Sequence, residues 1–257
     1  MTHYAVILLF TNRPTKKDIE IRLAPFDENI EVESYYDGTT REEVQRQMDE
    51  IKERCAQEGE KSYILKYNPK IFSMSLEEFA DDWYEQKLGK EGLLTNHNPQ
   101  SKWDWYQIGG RYNGFFYHKD GSTLNMIQIK DLDLSRHYKE TLKILNKKLL
   151  WEQKFDSINE IDSNLLSKEE YHHYVSVLFG HHSTKTYLEI NEKNHGFPLC
   201  YAVIDLDGVW HEAGKMGWFA VSHASDEELI EFKSSIYNRF IKDLSSATWL
   251  VVVDCHT

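Results

Sequence analysis

The distribution of apolar positions along the chain predicts a protein that combines strands and helices. Residues 4–10 are a continuous apolar run of strand length, and residues 248–255 are a second such run. Residues 30–36 alternate apolar and acidic side chains, which is typical of a half-buried strand. In residues 226–244 apolar side chains recur every three or four positions, as in a helix with one buried face. We therefore expect an α+β fold with a mixed or antiparallel sheet and helices packed on it.

Four segments carry the same helix-start signal, a Ser or Thr followed three residues later by Glu. The hydroxyl can accept a hydrogen bond from the third amide of the helix, while the Glu carboxylate returns to the amide of the cap. The helices predicted from this signal cover residues 41–57, 76–87, 168–179 and 226–244. Two further helices are predicted near residues 136–153 and, ended by Pro25, at 15–24.

Two Asp-Gly pairs predict hairpins, because glycine readily adopts the positive φ that a tight turn requires. One hairpin spans residues 112–129, and the other spans 199–213 with a third strand at 218–222. The acidic stretch 155–168 between them is the expected linker. The chain would then form two pseudo-equivalent α+β lobes, residues 1–154 and 155–257, with one continuous domain as the alternative.

Composition narrows the class of protein. The chain has 257 residues with a net charge of -12, which argues against broad binding to nucleic-acid backbones. Its three cysteines lack C-x-x-C spacing, which favours reduced thiols in a cytoplasmic protein. We expect no leader peptide, membrane span or cofactor. The histidine positions do not have the spacing of a metal site, so no metal is expected either.

Residues 98–111, N-P-Q-S-K-W-D-W-Y-Q-I-G-G-R, contain rings, charges and a Gly-Gly pair in close succession. No simple amphipathic element requires this mixture. In one interpretation the block binds an anionic ligand, because a planar guanidinium matches phosphate or carboxylate and glycine lets backbone amides approach. The binding residues would be Lys102, Trp103, Asp104, Trp105, Tyr106, Gly109, Gly110 and Arg111. In the other interpretation Gly-Gly is a bulge, the Trp residues are core and Asp104 forms an internal ion pair with Arg111 or Lys102.

A second block, residues 207–219, again combines rings, glycines and charges. Its turn residues explain most of that composition as a β-meander. Three residues remain unexplained by turns, Trp210, Lys215 and Trp218. They could join the first block in one aromatic cleft.

The sequence near the C-terminus, Asp254-Cys255-His256, invites comparison with a nucleophile and its base. Adjacent side chains on a strand point to opposite faces, so Asp254 and His256 would share a face that Cys255 does not. We expect His256 to be a base or a ligand contact, and Cys255 to be a small buried apolar residue.

The signature N-P-x-S-K-W-D-W-Y-x-I-G-G-R, the D-G-x-W and M-G-W-F motifs and the ending V-D-C-H resemble a family of uncharacterised proteins of bacteria and their phages. Residues 23–29 also resemble the N-terminal part of that family. The resemblance implies a phage or prophage context and implies no particular activity. Interference with host defence signalling is an expectation that follows from this context alone.

The leading functional hypothesis is a cytoplasmic accessory protein that binds a small anionic, nucleotide-like molecule in an aromatic cleft. The first alternative is a hydrolase or transferase that uses Asp104 and His256 in the same cleft. The second alternative is a module that binds and inhibits a host protein. Each hypothesis requires the distant ring-rich segments to meet.

Overall fold

The computed structural model of the protein describes residues 3–152, 183–214 and 223–257 and has an α+β fold. The chain divides into two compact units. Unit 1 consists of Met1–Asp27 and Gln100–Thr257, and unit 2 is Glu28–Pro99. Unit 2 is therefore an insertion within the sequence of unit 1.

Six strands form the main sheet of unit 1. They are β1 His3–Phe10, β5 Trp105–Ile108, β8 Met126–Gln128, β9 Ala202–Ile204, β10 Trp210–Glu212 and β11 Trp249–His256. Their order is β10-β9-β1-β11-β5, and β8 also pairs with β11. The β1–β9 pair is parallel and the other pairs are antiparallel. The predicted mixed sheet is thus confirmed, and the apolar run of β1 lies at its centre.

Both faces of this sheet are covered, which explains why its central strands are apolar without interruption. The first face packs Ile7 and Val252 against Phe232. The second face packs Val6 and Val253 against a cluster that includes Ile19 and Leu23. Successive residues of one strand therefore belong to two separate hydrophobic clusters.

The helices of unit 1 supply these covering layers. They are α1 Lys16–Leu23, α5 Leu134–Glu152, α6 Thr184–Lys193 and α7 Asp226–Ile236. A π-helical turn, Tyr237–Ile241, continues α7. The helix predicted at 15–24 is confirmed as α1, and a 3₁₀ turn over Ala24–Phe26 follows it, with proline in its first positions. A small hairpin pairs β6 Phe116–Tyr117 with β7 Thr123–Leu124, inside the range of the first predicted hairpin.

Unit 2 has its own sheet and its own hydrophobic cluster. Its elements are β2 Tyr35–Thr40, α2 Arg41–Glu58, α3 Tyr63–Tyr67, α4 Leu76–Tyr84, β3 Lys87–Leu88 and β4 Gly92–Thr95. The strands lie in the order β2-β4-β3. The cluster packs Val44, Met48 and Ile51 of α2 against Phe79 and Leu93.

Three of the four helix starts predicted from the Ser/Thr–Glu signal are confirmed with both capping hydrogen bonds present. They are at Thr40, Ser75 and Ser225. The strand predicted at 30–36 overlaps β2 only at Tyr35 and Tyr36, where pairing with β4 begins; residues 30–34 are not strand. The helix predicted at 168–179, the strand at 218–222 and the linker at 155–168 lie outside the described residues.

The predicted boundary between residues 154 and 155 also falls outside the described residues, so the two-lobe division stays a prediction. The sheet of unit 1 nevertheless joins β1 from the start of the sequence with β9, β10 and β11 from its end. In the described ranges, none of the helices has the length and apolar character that crossing a membrane requires.

Candidate functional site

Two histidines and two aspartates meet where β1 and β11 lie side by side. His3 is the register partner of His256, and His256 is in turn the partner of Trp105 on β5. Strand alternation places these side chains, with Asp254, on the first face of the sheet. We call His3, Asp104, Trp105, Asp254 and His256 the histidine site.

Each imidazole of the histidine site is held by its own carboxylate. Nδ1 of His3 lies 2.9 Å from Oδ1 of Asp254, and Nδ1 of His256 lies 2.6 Å from Oδ1 of Asp104. The ring centroids of the two histidines are 5.0 Å apart at an interplanar angle of 72°. The carboxylates fix the orientation of both rings and occupy both Nδ1 atoms.

Each imidazole also has a second nitrogen, Nε2, which is not held by these carboxylates. Within the described ranges, neither Nε2 takes part in a hydrogen bond. The side chain of His3 is 15% exposed and that of His256 is 13% exposed. A carboxylate can only accept, so Nδ1 carries the proton in each neutral ring and Nε2 presents a lone pair.

Asp254 connects the histidine site to the Gly-Gly-Arg sequence. Its side chain is 1% exposed, and its Oδ2 accepts a hydrogen bond from the backbone amide of Arg111 at 2.8 Å. Gly110 has φ +51°, and a Cβ there would lie 2.5 Å from Asp254 Cβ. The glycine therefore lets the backbone approach a buried carboxylate of the protein itself.

Tyr112 and Arg111 add polar groups beside His3. The Tyr112 hydroxyl donates to the backbone carbonyl of His3 at 3.2 Å. Burial raises the pKa of Tyr112, the charge of Asp254 raises it further, and the charge of Arg111 opposes that rise. The exposed Arg111 side chain thus brings positive charge to the surroundings of the histidine site.

Trp105 offers an open ring at the same place. The residue is 48% exposed, and its ring centroid lies 6.2 Å from that of His3 in an edge arrangement. Such a ring is available for stacking against a planar group of a ligand.

The other predicted ring residues lie on the second face of the sheet. Trp103 is only 6% exposed, and its indole N–H donates to the Leu23 carbonyl at 3.3 Å. It packs on Tyr106 at 5.1 Å, and Trp210 packs on Phe26 at the same centroid distance. Among the described residues, the rings expected to form one cleft are therefore divided between two faces, and Trp105 is the one that lies at the histidine site.

Lys102 also belongs to the second face. Its Nζ lies 2.6 Å from Oε1 of Glu212, and the Trp210 indole donates to the other oxygen of that carboxylate at 3.0 Å. The Lys102 charge is thus paired within the protein. Lys215 and Trp218, the remaining predicted contacts, lie outside the described residues.

The expectation that Cys255 is a buried apolar residue is confirmed. Cys255 is fully buried in the second-face cluster, opposite to His256. Burial raises the pKa of its thiol well above the ordinary value, and the neighbouring Asp254 charge adds to this. Because the thiolate is the nucleophilic form, Cys255 is not suited to nucleophilic catalysis.

Reasoning from the sequence identified Asp104 and His256 but missed His3, and it did not assign Asp254 a partner. Strand alternation did predict that Asp254 and His256 share a face, and this is confirmed. The partner of Asp254 could not be found in the same way, because it requires the pairing of β1 with β11. Among the described residues, no group of three or more His, Cys, Asp or Glu side chains could hold a metal ion.

Comparison with protein-family models, curated proteins and solved structures gives no match for this chain. The resemblance to a bacterial and phage family, with its phage and anti-defence context, therefore stays a prediction. Inhibition of a host protein stays a prediction as well.

Proposed function

We propose that the protein is a hydrolase or transferase that acts by general acid–base catalysis on a small anionic, nucleotide-like molecule. One observation carries this proposal: two imidazoles lie 5.0 Å apart, each held through Nδ1 by a separate carboxylate. Stability alone does not explain two such pairs side by side at a sheet end where both rings remain partly exposed.

The chemistry follows from the properties of imidazole. Histidine changes its charge near neutral pH, so it can accept or donate a proton at Nε2 under ordinary conditions. A carboxylate at Nδ1 fixes the tautomer and stabilises the imidazolium that forms. A well-placed acid or base of this kind contributes roughly 10²–10⁴-fold to a reaction rate.

The surroundings favour a substrate that carries both a planar ring and a negative charge. Trp105 supplies an exposed surface on which a base could stack, a contact worth about 1–3 kcal/mol. Arg111 supplies a guanidinium that matches phosphate or carboxylate oxygens.

The experiment is a turnover screen of the purified protein against four classes of substrate. These classes are nucleotides, phosphodiesters, phosphomonoesters and carboxylic esters. We expect turnover of at least one anionic class, with a loss of about 10²–10⁴-fold in the variant His256→Gln.

The matched control is His211→Gln. The Nε2 atom of His211 lies 2.7 Å from Oδ2 of Asp205, so this histidine also pairs with an aspartate. It lies on β10, the strand at the opposite edge of the sheet from β5. We expect this control to retain full turnover. Absence of turnover with every class, or equal loss in both variants, would contradict the proposal.

The second candidate is a protein that binds the same kind of ligand without turnover. The exposed Trp105 ring and the exposed Arg111 side chain favour this candidate, because both can bind a ligand whether or not a reaction follows. Titration of nucleotides and cyclic nucleotides, followed by Trp fluorescence, tests it. Binding that weakens in Arg111→Ala, without turnover, would favour this candidate over the enzyme.

A further inference from the structure

We propose that the substrate bond is a phosphodiester and that His3 and His256 divide the two proton transfers, one as base and the other as acid. This inference rests on the proposed function and specifies its chemistry. It adds His3 to the catalytic residues and assigns Asp254 the role of a positioning residue.

The two histidines of the site are held in the same way. In each of them Nδ1 lies within hydrogen-bond distance of a carboxylate oxygen. Nε2 makes no hydrogen bond to any of the described residues. An enzyme that needs only one proton transfer needs only one such pair. Two imidazoles with ring centroids 5.0 Å apart are close enough to act on one small group.

The reaction is a single displacement at phosphorus with two proton transfers. Nε2 of the base removes a proton from the attacking hydroxyl, either of water or of the substrate, and the new O–P bond forms. The bond from phosphorus to the leaving oxygen breaks, and its electron pair stays on that oxygen. Nε2 of the other imidazole, in its protonated form, donates a proton to the leaving oxygen. Both histidines return to their starting forms by proton exchange with water.

A phosphodiester fits two imidazoles better than a carboxylic ester does. In an in-line displacement at phosphorus the attacking and leaving oxygens lie on opposite sides, so one imidazole cannot serve both. Acyl transfer separates the two proton transfers in time, so a single histidine can carry out both. The two non-bridging oxygens of a phosphodiester also share one negative charge, and a planar guanidinium can bind both oxygens in a bidentate manner. The main chain of Arg111, which carries this group, is hydrogen-bonded to the carboxylate that holds His3.

Asp254 links the backbone of Arg111 to His3. One oxygen of Asp254 accepts from the Arg111 amide at 2.8 Å, while the other lies 2.9 Å from Nδ1 of His3. The Tyr112 hydroxyl adds a second connection, to the His3 carbonyl at 3.2 Å. The imidazole and the main chain that carries the guanidinium are therefore fixed to one buried carboxylate.

The decisive experiment compares two phosphodiesters that differ in their leaving group. A dinucleoside monophosphate releases an alkoxide and needs the acid, whereas a nucleoside p-nitrophenyl phosphate releases nitrophenolate, which leaves without protonation. We expect His3→Gln and His256→Gln each to slow cleavage of the first substrate by about 10²–10⁴-fold. The variant that lacks the acid should cleave the second substrate at nearly the wild-type rate, and the variant that lacks the base should not.

His211→Gln serves as the control and should match the wild type with both substrates. Equal losses with both substrates in the two site variants would overturn the division of roles. Turnover of only phosphomonoesters or carboxylic esters that depends on both histidines would overturn this inference and leave the proposed function standing. Turnover of no substrate would overturn both.

A measurement on the wild-type protein covers the case in which a variant does not fold. Across a series of diesters with leaving groups of rising pKa, enzymatic protonation should make the rate fall only slightly. A steep fall with leaving-group pKa would overturn the assignment of an acid. Product analysis identifies the attacking hydroxyl, because water yields a phosphomonoester and a substrate hydroxyl yields a cyclic phosphate.

Discussion

At the scale of single residues, the ring-rich block is explained by the two faces of the sheet. Trp105 lies on the first face beside His3, whereas Trp103 and Tyr106 pack in the second-face cluster. Residues that are neighbours in the sequence therefore lie in different environments, so a mixture of rings and charges in the sequence does not require a single pocket. The type of residue was informative about chemistry, but its partners depended on strand pairing.

The variant Gly110→Ala tests the close approach of the backbone to Asp254. Alanine at φ +51° is strained, and its Cβ would meet the Asp254 side chain at 2.5 Å. Strain at such a position costs of order 1–3 kcal/mol, and displacement of a buried carboxylate adds to that. We expect the free energy of unfolding to fall by about 3 kcal/mol, measured by urea denaturation, together with a loss of turnover.

Gly121→Ala is the matched control for this prediction. Gly121 also has positive φ, at +94°, but a Cβ there would have no atom within 4 Å. This variant should show the cost of backbone strain alone and keep its turnover. If Gly110→Ala were no more harmful than Gly121→Ala, the close approach to Asp254 would not matter.

At the scale of elements, the helix starts were predictable because a capping box is local. Thr40, Ser75 and Ser225 each bond to a residue three positions later, so no distant contact was needed. The bounds of the strand predicted at 30–36 were not predictable in this way, because strand pairing is not local. The alternation of apolar and acidic residues is local, but the strand is defined by its pairing with β4, and this pairing starts at Tyr35.

The π-helical turn after α7 illustrates an element that depends on a distant residue. In a regular helix the Tyr237 amide would donate to the Lys233 carbonyl, four residues earlier. Here the side chain of Asn194 lies between them: its Oδ1 accepts from the Tyr237 amide at 2.9 Å, and its Nδ2 donates to the Lys233 carbonyl. The ladder then continues with the wider bond from Lys242 to Tyr237 at 2.9 Å.

We therefore predict that Asn194→Ala is strongly destabilising. Asn194 is fully buried, and its loss removes the side-chain partners of two backbone groups where α7 meets the π-helical turn, the Lys233 carbonyl and the Tyr237 amide. An unpaired buried polar group costs about 1–3 kcal/mol, so we expect the free energy of unfolding to fall by about 2–4 kcal/mol. Chemical denaturation of the variant measures this loss.

Asn238→Ala is the control for the Asn194 prediction, since Asn238 makes a 3.4 Å hydrogen bond to the Lys193 carbonyl at the surface. It should cost less than about 1 kcal/mol. Similar losses in the two variants would mean that the inserted amide does not maintain the π-helical turn.

At the scale of the whole molecule, the order of elements along the chain hides which parts fold together. Composition suggested a division near residue 155, whereas the folded chain has Glu28–Pro99 as a compact unit of its own. The ends of this insertion are recognisable only from unit 1, where the amides of Lys102 and Trp103 both donate to the Phe26 carbonyl, at 2.8 and 3.2 Å. No motif in the sequence predicts that contact.

The last prediction follows from this connection: replacement of residues 28–99 by a short Gly-Ser linker should leave unit 1 folded. The chain leaves and re-enters unit 1 at backbones that are already hydrogen-bonded, so a short flexible linker can close the gap at little entropic cost. The hydrophobic clusters on both faces of the sheet of unit 1 consist of residues of unit 1. We expect a single cooperative unfolding transition by circular dichroism and turnover that still depends on His256. A shortened protein that is folded but inactive would show that unit 2 contributes to activity, and one that does not fold would show that unit 1 needs the insertion for its stability.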